Sequence, residues 1–266
     1  MNETEFLEFI RQKGIELYRD MPWRRDTRPY YVLVSELMLQ QTQVDRVVPK
    51  FSAFIEQFPD ETTLANASLG DVLRMWSGLG YNRRAKFLHE AAKKIATEHA
   101  GKFPKTYEAI LALPGVGQST AGAITAYAFN QPVVFIETNV RTVYFHHFFN
   151  DEVQISDSEL KMLLEKTIDK QHPREFYWAL MDYGTWLKKN HLSYLEKSKH
   201  YKKQSPLKGS IREVRGQILR LLTEKQIDMQ KIAVYFKDDD RFEPALKGLI
   251  RDGLVQENGT SFHLTK

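Results

Sequence analysis

The spacing of apolar residues constrains this chain more than any other feature, because they recur every three or four positions over most of the first 187 residues. Phe6, Phe9 and Ile10 show the pattern near the N-terminus, and Leu88 and Ile95 show it further along. Such spacing places apolar side chains on one face of a helix. Prolines fall between or at the edges of these segments, where a missing N–H costs least. The sequence therefore predicts a mainly α fold, a bundle of about ten short helices.

Composition narrows the class of protein. The 266 residues are 42% hydrophobic and 27% charged, which is typical of a globular protein. No apolar stretch is long enough for a transmembrane helix. The acidic first residues lack the basic-then-apolar order of a secretory signal, so we expect a cytoplasmic protein, associated with the nucleoid if it is bacterial.

The chain has no cysteine, which excludes disulfides, cysteine nucleophiles, thiolate zinc sites and cysteine-ligated iron–sulfur clusters. We therefore expect no iron–sulfur cofactor. The net charge of +4 modestly favours a polyanionic partner such as nucleic acid.

A change in composition suggests three parts: residues 1–187, a basic connector at 188–210, and a small module at 211–266. The connector is either a solvated linker or a strip that follows a phosphate backbone. Its lysines are Lys188, Lys189, Lys197, Lys199, Lys202, Lys203 and Lys208, opposed by Glu196. The module shows helical patterns at 211–224, 229–236 and 240–252, followed by a hairpin at 254–264 with its turn at Asn258-Gly259. This order resembles a winged-helix module, which binds DNA in some proteins and protein in others.

The sharpest local signal is the segment LPGVGQSTAG at residues 113–122, which lies between two helical patterns. Gly115 and Gly117 allow a sharp reversal, and they let the N–H groups at the start of the next helix approach an anion. A plain helix cap and turn is the other interpretation. The small residues Ala121, Gly122 and Ala123 allow two helices to pack closely and favour a helix–hairpin–helix that binds a DNA phosphate.

Two carboxylates stand out. Glu36 lies in an apolar helical segment with Gln40 and Gln43 at i+4 and i+7, so the three are predicted to form one polar stripe. Partial desolvation there would raise the pKa of Glu36 and suit it to general acid catalysis, but a solvated helix face explains the stripe equally well. Glu137 follows four apolar residues and precedes a helix. It is either a substitute helix N-cap or a second catalytic carboxylate, since paired carboxylates serve the cleavage of sugar bonds.

The ordered motifs of residues 5–187 resemble adenine glycosylases of the helix–hairpin–helix superfamily. These motifs are MPWR at 21–24, SELMLQQTQV at 35–44, WSGLGY at 76–81, LPGVG at 113–117, STAGA at 119–123, NVR at 139–141 and MDYG at 181–184. The resemblance implies a two-lobed helical fold that removes adenine mispaired with 8-oxoguanine or guanine.

The resemblance also implies a catalytic role for four residues. Glu36 matches the glutamate that protonates the departing adenine on a ring nitrogen. Glu137 stands where the family usually has an aspartate that stabilises, or bonds to, the sugar cation, and Asn139 would steady it. Ser119 occupies the position of the Schiff-base lysine in lyase-competent relatives, so we expect a monofunctional enzyme that leaves an abasic site.

Further positions are implied for DNA and ion binding. Arg19 and Arg24 match residues near the extrahelical adenine. The residues expected at the DNA are Leu39, Gln40, Gln41 and Tyr81 near the base stack, and Gly115, Val116, Gly117, Gln118 and Thr120 in the hairpin. Of these, Gln41, with Leu39 and Tyr81, matches the wedge that enters the base stack. Backbone carbonyls of Leu111, Leu113 and Val116 would hold a monovalent cation.

Three departures from the family pattern have consequences. The four-cysteine cluster that usually follows the last motif is replaced by the basic connector, so we expect Phe176, Trp178 and Trp186 to hold the last helix by packing. Glu137 in place of aspartate moves the carboxylate by about one ångström, which affects rate. The module at 211–266 stands where the family usually has a domain that reads 8-oxoguanine.

The sequence thus predicts an adenine DNA glycosylase that acts, as a monomer, on double-stranded DNA with a mispaired or damaged base. Two alternatives stay open. A thymine, uracil or other-base glycosylase shares the hairpin but does not need a purine-protonating glutamate. A catalytically weak protein that binds DNA lesions would fit the altered residue at 137 and the added module.

Overall fold

The computed structural model describes residues 2–149, 154–199, 205–224, 227–258 and 261–265, and they are mostly helical. The first twelve helices are α1 (Glu3–Glu16), α2 (Pro22–Arg25), α3 (Pro29–Leu39), α4 (Val44–Gln57), α5 (Glu61–Asn66), α6 (Leu69–Trp76), α7 (Arg83–Glu98), α8 (Tyr107–Leu111), α9 (Gln118–Phe129), α10 (Thr138–Phe148), α11 (Asp157–Thr167) and α12 (Pro173–Lys189). The later elements are α13 (Ile211–Glu224), β1 (Ile227–Asp228), α14 (Met229–Tyr235), α15 (Phe242–Arg251), β2 (Val255–Asn258) and β3 (Ser261–Leu264). The predicted fold class, mainly helical with a small α and β module at the C-terminal end, is confirmed.

The chain divides into two compact units, each assembled from separate stretches of sequence. The first unit comprises Met1–Val32, Lys105–Ala112 and Val116–Lys203. The second comprises Leu33–Pro104, Leu113–Gly115 and Gln204–Lys266, so the C-terminal module belongs to the same unit as α4–α7. The sequence-based division at residues 187 and 210 follows composition and stays a prediction.

The first unit is built around α12, which packs against α1 and α10. A Cβ on Gly14 of α1 would lie 2.8 Å from the Cβ of Ala179, so the two helices approach closely at this point. Phe6 of α1 is fully buried, and its ring meets that of Tyr144 edge-on at 5.2 Å. Burial of these apolar faces holds α1, α10 and α12 together.

One expectation for α12 is wrong. Phe176 is buried and Trp178 is half-buried, as predicted, but Trp186 is 41% exposed. The ring of Trp186 stacks on that of Tyr183, with centroids 6.0 Å apart, at the edge of the unit. Helical spacing places Trp186 beyond the face of α12 that the core covers, because the more central Tyr183 and Leu187 occupy it.

The second unit has its core between α5, α6 and α7, where Leu64, Trp76 and Leu88 are buried. In the C-terminal module the elements follow one another in the order α13, β1, α14, α15, β2, β3, as in a winged helix. The strands form an antiparallel sheet in the order β1-β3-β2, with Val255 opposite Leu264. The two-residue strand β1 is too short to show alternation in the sequence. In the predicted hairpin turn, Gly259 lies outside the described residues.

The connector begins later than its composition suggests, because α12 continues through Lys189. After a 3-10 turn at Leu195–Lys197, Ser198 pairs with Ile155 in an isolated bridge, and the Lys197 ammonium donates to the carbonyl of Phe149 at 2.7 Å. Lys202 and Lys203 lie outside the described residues. Phosphate binding by the connector stays a prediction. Of the helices within the described ranges, none combines the length and the apolar character needed to cross a membrane.

Candidate active site and DNA-contact loops

Glu137 is held at the N-terminus of α10, in the first unit. Its Oε1 accepts hydrogen bonds from the backbone N–H of Asn139, and from that of Val140 at 2.9 Å, so it is the N-cap residue of the helix. The second oxygen, Oε2, accepts from Nδ2 of Asn139 at 3.4 Å. One carboxylate oxygen is thus fixed by the backbone, while the other retains capacity for a positive charge. The cap and the candidate catalytic carboxylate are one and the same group.

Asn139 also packs against α12. Its Nδ2 also contacts the sulfur of Met181 at 3.5 Å, and its buried Oδ1 has no hydrogen-bond partner among the described residues. A Cβ on Gly184 would lie 2.7 Å from the Cβ of Asn139 and 2.9 Å from its carbonyl oxygen. The MDYG motif therefore supplies the close approach that fixes Asn139 beside Glu137.

The protonation of Glu137 depends on opposing effects. The side chain is half-buried, and the surrounding protein raises the pKa of its carboxyl, because burial disfavours the charged form. The N–H donors of Val140 and Asn139 and the charge of Lys188 act in the opposite direction. Burial lowers the pKa of the Lys188 ammonium, and the Glu137 carboxylate opposes that change.

Lys188 is a site residue that the sequence did not single out. The composition grouped it with the basic connector, but it belongs to α12 and is half-buried in the electrostatic range of Glu137. Its position four residues after Gly184, on the same face of α12, is the only signal that could have placed it near Asn139 and Glu137.

Ser119 contacts the residue that precedes Glu137. It is in the first turn of α9, is exposed, and donates from its Oγ to the carbonyl of Ile136 at 2.7 Å. The structure thus brings Ser119, Glu137 and Asn139 together within the first unit. Ser119 offers a hydroxyl where a Schiff base would require an amine.

The hairpin between α8 and α9 leaves a helix N-terminus open. Gly117 is the N-cap of α9, no side chain caps it, and no atom lies within 4 Å of where its Cβ would be. Gly117 and Gln118 are exposed, whereas the side chains of Val116 and Thr120 are buried, so only the backbone of the latter two is available to a ligand. Uncapped N–H groups at a helix start bind phosphate well.

Gly115 is required for a different reason. Its φ of +77° lies in the left-handed region, and a Cβ there would be 2.6 Å from the Cβ of Phe87. Both features exclude a larger residue at this position.

Arg19 and Arg24 share one buried partner, Asp182. Arg24 Nη1 lies 2.6 Å from Asp182 Oδ2, and both side chains are almost fully buried. Arg19 Nε lies 2.5 Å from Asp182 Oδ1 and is about one-third exposed. Both arginines are therefore oriented by the MDYG aspartate, and of the two Arg19 has a guanidinium partly open to solvent. Their predicted position beside an extrahelical base stays a prediction.

Glu36 lies in the part of α3 that belongs to the second unit. Its side chain is half-buried between the fully buried Ser35 and Leu37. The predicted stripe through Gln40 and Gln43 is wrong, because α3 ends at Leu39 and Gln43 is the N-cap of α4. The helix stops because Gln41 takes a left-handed backbone with φ of +59°.

Buried Arg84 explains how the helix can end there. Its Nη1 donates to the carbonyls of Leu37 at 2.8 Å and Met38 at 2.9 Å, and also to that of Gln40. Its Nη2 donates to the carbonyl of Gly80 at 2.9 Å. Burial lowers the pKa of Arg84 to about 10, so it stays charged at neutral pH. No pattern in the sequence distinguishes Arg84 from the neighbouring Arg83.

This one guanidinium joins the two loops that carry the predicted wedge residues. Gln41 is exposed in the first loop, and Tyr81, 38% exposed with φ of +47°, is in the second. Thr42 Oγ1 donates to the carbonyl of Leu79 at 3.4 Å, which adds a direct link between the loops. Gln41 and Tyr81 thus project from a fixed double loop, while Leu39 and Gln40 are half-buried at the end of α3.

Comparisons with known proteins identify the family of this chain. The pattern of HhH-GPD superfamily base excision DNA repair proteins matches residues 34–170. The adenine DNA glycosylase of Buchnera aphidicola subsp. Baizongia pistaciae is 38% identical over 170 residues, which cover 62% of this chain and 48% of that protein. The chain therefore spans about half the length of this relative.

A second relative and a solved structure match over more of their length. The adenine DNA glycosylase of Mycobacterium tuberculosis strain H37Rv is 33% identical over 264 residues, which cover 90% of this chain and 86% of that protein. A thermostable thymine-DNA glycosylase structure superimposes with a TM-score of 0.62 at 25% identity, covering 68% of this chain and 85% of that one. The chain belongs to the HhH-GPD superfamily of base excision DNA repair proteins and, within it, to the adenine DNA glycosylase family.

Proposed function

We propose that this protein hydrolyses the N-glycosidic bond of adenine mispaired with 8-oxoguanine or guanine in duplex DNA and stops at the abasic site. The observation that carries the proposal is the Glu137 carboxylate, held by two backbone N–H groups and Asn139 so that Oε2 can meet a cation. Family membership supplies the reaction class.

The proposed reaction uses the two carboxyl groups differently. Glu36 donates a proton to a ring nitrogen of adenine, and the bond between that base and C1′ breaks with its electron pair leaving on the base. Glu137 stabilises the resulting sugar cation, either through charge or by a transient bond to C1′. Water then adds to C1′ and loses a proton, which gives free adenine and an abasic sugar. Lys188 favours the ionised form of Glu137 that this role requires.

Strand cleavage is not part of the proposal. The Ser119 hydroxyl is engaged with the Ile136 carbonyl at 2.7 Å, and a hydroxyl cannot form the Schiff base on which β-elimination depends. A monovalent cation at the carbonyls of Leu111, Leu113 and Val116 remains a proposal that rests on donor chemistry, since carbonyl oxygens are hard ligands that suit such ions.

Single-turnover incubation with four duplexes tests the function. They carry adenine opposite 8-oxoguanine, adenine opposite guanine, thymine opposite guanine and uracil opposite guanine, and hot alkali reveals each abasic site. We expect release of adenine, with Glu36→Gln and Glu137→Gln each slower by about 10²–10³-fold. The matched control is Glu165→Gln, which removes an exposed carboxylate from α11 and should act like the wild type.

Other outcomes would change the assignment. Release of thymine or uracil alone would mean that the protein is a pyrimidine glycosylase, like the thymine-DNA glycosylase that it resembles in fold. Glu36 would then not act as the acid that protonates adenine. Duplex binding without release of any base would identify a lesion-binding protein. Strand breaks without alkali would contradict the monofunctional mechanism.

A further inference from the structure

The C-terminal module and the wedge loops together line one cavity of the second unit, with a volume of about 560 Å³. Gln41, Arg46 and Tyr81 contribute from the wedge loops and the start of α4, and Ser205, Leu207 and Arg212 contribute from the segment that leads into α13. We call this cavity the Tyr81 groove. The module therefore reaches the part of the unit that is expected to meet DNA.

Tyr81 is held by two guanidinium groups. The guanidinium carbons of Arg84 and Arg212 each lie 5.5 Å from the centroid of its ring, within the range of cation–π attraction. Arg212 also donates from Nη1 to the Tyr81 hydroxyl. Arg84 fixes the backbone on which Tyr81 stands, whereas Arg212 engages the hydroxyl at the tip of the side chain.

Arg212 is fixed in turn by the segment that leads into α13. Its Nη2 donates to the carbonyl of Ser205 at 2.7 Å. One turn further along α13, Arg215 pairs with Asp252 at 2.6 Å, and Lys86 of α7 donates to the Asp252 carbonyl at 2.8 Å. Asp252, at the end of α15, thus links α13 to α7, so the position of Arg212 beside Tyr81 follows from the packing of the unit.

The groove carries positive charge that its own residues do not neutralise. Within the described ranges, neither Arg212 nor Arg46 forms an ion pair with a carboxylate; Arg46 donates to the carbonyl of Gly78. Arg215, by contrast, is neutralised by Asp252. Two guanidinium groups that are oriented by neutral acceptors in an open groove form a site for an anion, and Arg is well suited to phosphate.

We propose that Arg212 binds a DNA backbone phosphate in the Tyr81 groove and positions Tyr81 for entry into the base stack, so that the C-terminal module is part of the DNA-contact surface. This inference rests on the proposed function for its ligand, duplex DNA. It assigns the winged-helix-like module to DNA binding and makes its Arg212 a positioning residue for base extrusion.

The first test measures binding of the full chain to a duplex with a tetrahydrofuran abasic analogue opposite guanine, over a series of salt concentrations. We expect Arg212→Ala to bind about tenfold more weakly at low salt. The slope of log K against log salt should fall by about 0.9, the value for one lost phosphate contact. Arg251→Ala removes an exposed arginine of the same module, outside the groove, and should change neither quantity. An unchanged slope for Arg212→Ala would overturn phosphate binding.

The second test measures extrusion, with 2-aminopurine in place of the target adenine and stopped-flow fluorescence as the readout. Arg212→Ala should slow the rise in emission at saturating protein. Tyr81→Phe removes the hydroxyl that Arg212 contacts, so it should reproduce part of the slowing, and the double variant should be less than additive. Full additivity would overturn the positioning role. Arg212→Lys keeps the charge without the forked donors, and it should retain more of the affinity than of the extrusion rate.

The two proposals can fail separately. If no duplex loses adenine, the proposed function fails, while affinity and fluorescence still report on Arg212. If adenine is released and Arg212→Ala matches Arg251→Ala in both tests, the inference fails and the function stands. The melting temperatures of all variants should agree within a few degrees, which would exclude unfolding as the cause of weaker binding or slower extrusion. If Arg212→Ala is unstable, Tyr81→Phe still tests the contact between the two side chains.

Discussion

The N-terminus of α10 and the C-terminus of α3 fix functional residues in opposite ways. At α10 the unpaired backbone groups are N–H donors, and Glu137 supplies a carboxylate to them. At α3 they are carbonyls, and Arg84 supplies a guanidinium. In each case the charge complements the helix dipole as well as the hydrogen bonds. The difference is that Glu137 is expected to act directly in the chemistry, whereas Arg84 acts through the two loops that it joins.

Replacing Arg84 by methionine should have the largest effect on stability. The change leaves the carbonyls of Leu37, Met38 and Gly80 without their buried donor, so we expect a loss of about 2–4 kcal/mol in the free energy of unfolding, measured by urea denaturation. Affinity for the abasic-analogue duplex should fall as well, because Gln41 and Tyr81 lose their fixed backbone. Lys93→Met removes an exposed charge from the same helix and serves as the control. Loss of binding without loss of stability would mean that Arg84 contacts DNA itself.

Gly184→Ala should have a smaller effect on stability, and it should disturb the N-terminus of α10 but not the C-terminus of α3. The new methyl group would lie 2.7 Å from the Cβ of Asn139, so the two helices must separate or Asn139 must move. We expect a cost of about 1–3 kcal/mol and adenine release slower by about tenfold, with affinity for the duplex little changed. Gly216→Ala, in α13 with no atom within 4 Å of the new Cβ, should be neutral or stabilising. Full activity in Gly184→Ala would show that the position of Asn139 does not matter for the function of Glu137.

The smallest expected effect is a pH dependence of stability. Burial raises the pKa of Glu137, so the folded protein keeps this proton at pH values where the unfolded chain has released it. The wild type should therefore lose stability relative to Glu137→Gln as the pH rises from about 4.5, its ordinary value, through the raised pKa of the folded state. Below pH 4.5 the two should be alike, because both side chains are neutral. Urea denaturation at a series of pH values measures the difference, and a gap that widens on acidification would show that the pKa is lowered instead.

The helical fold was accessible from the sequence because periodicity is a local signal. The hairpin at 113–122 and the helices of the C-terminal module are recognisable for the same reason. Proline placement was a weaker guide, since Pro49 lies inside α4 and not at its edge. Glu36 and Glu137 were found from their apolar surroundings, and the ordered motifs identified the family. The predicted polar stripe from Glu36 to Gln43 was wrong because a single left-handed residue, Gln41, ends α3. The spacing of residues in the sequence does not show where a helix ends in this way.

By itself, the sequence determined the helical class, the family and the absence of any cysteine chemistry. The tertiary structure alone decided that Arg84 reaches Leu37, 47 positions away, that Arg24 pairs with Asp182, 158 positions away, that Lys188 lies near Glu137, and that Arg212 engages Tyr81. These partners follow from which helix faces pack together, and a local pattern carries no information about that choice. Hydrogen bonds and ion pairs between distant residues form only after apolar burial has brought their helices together.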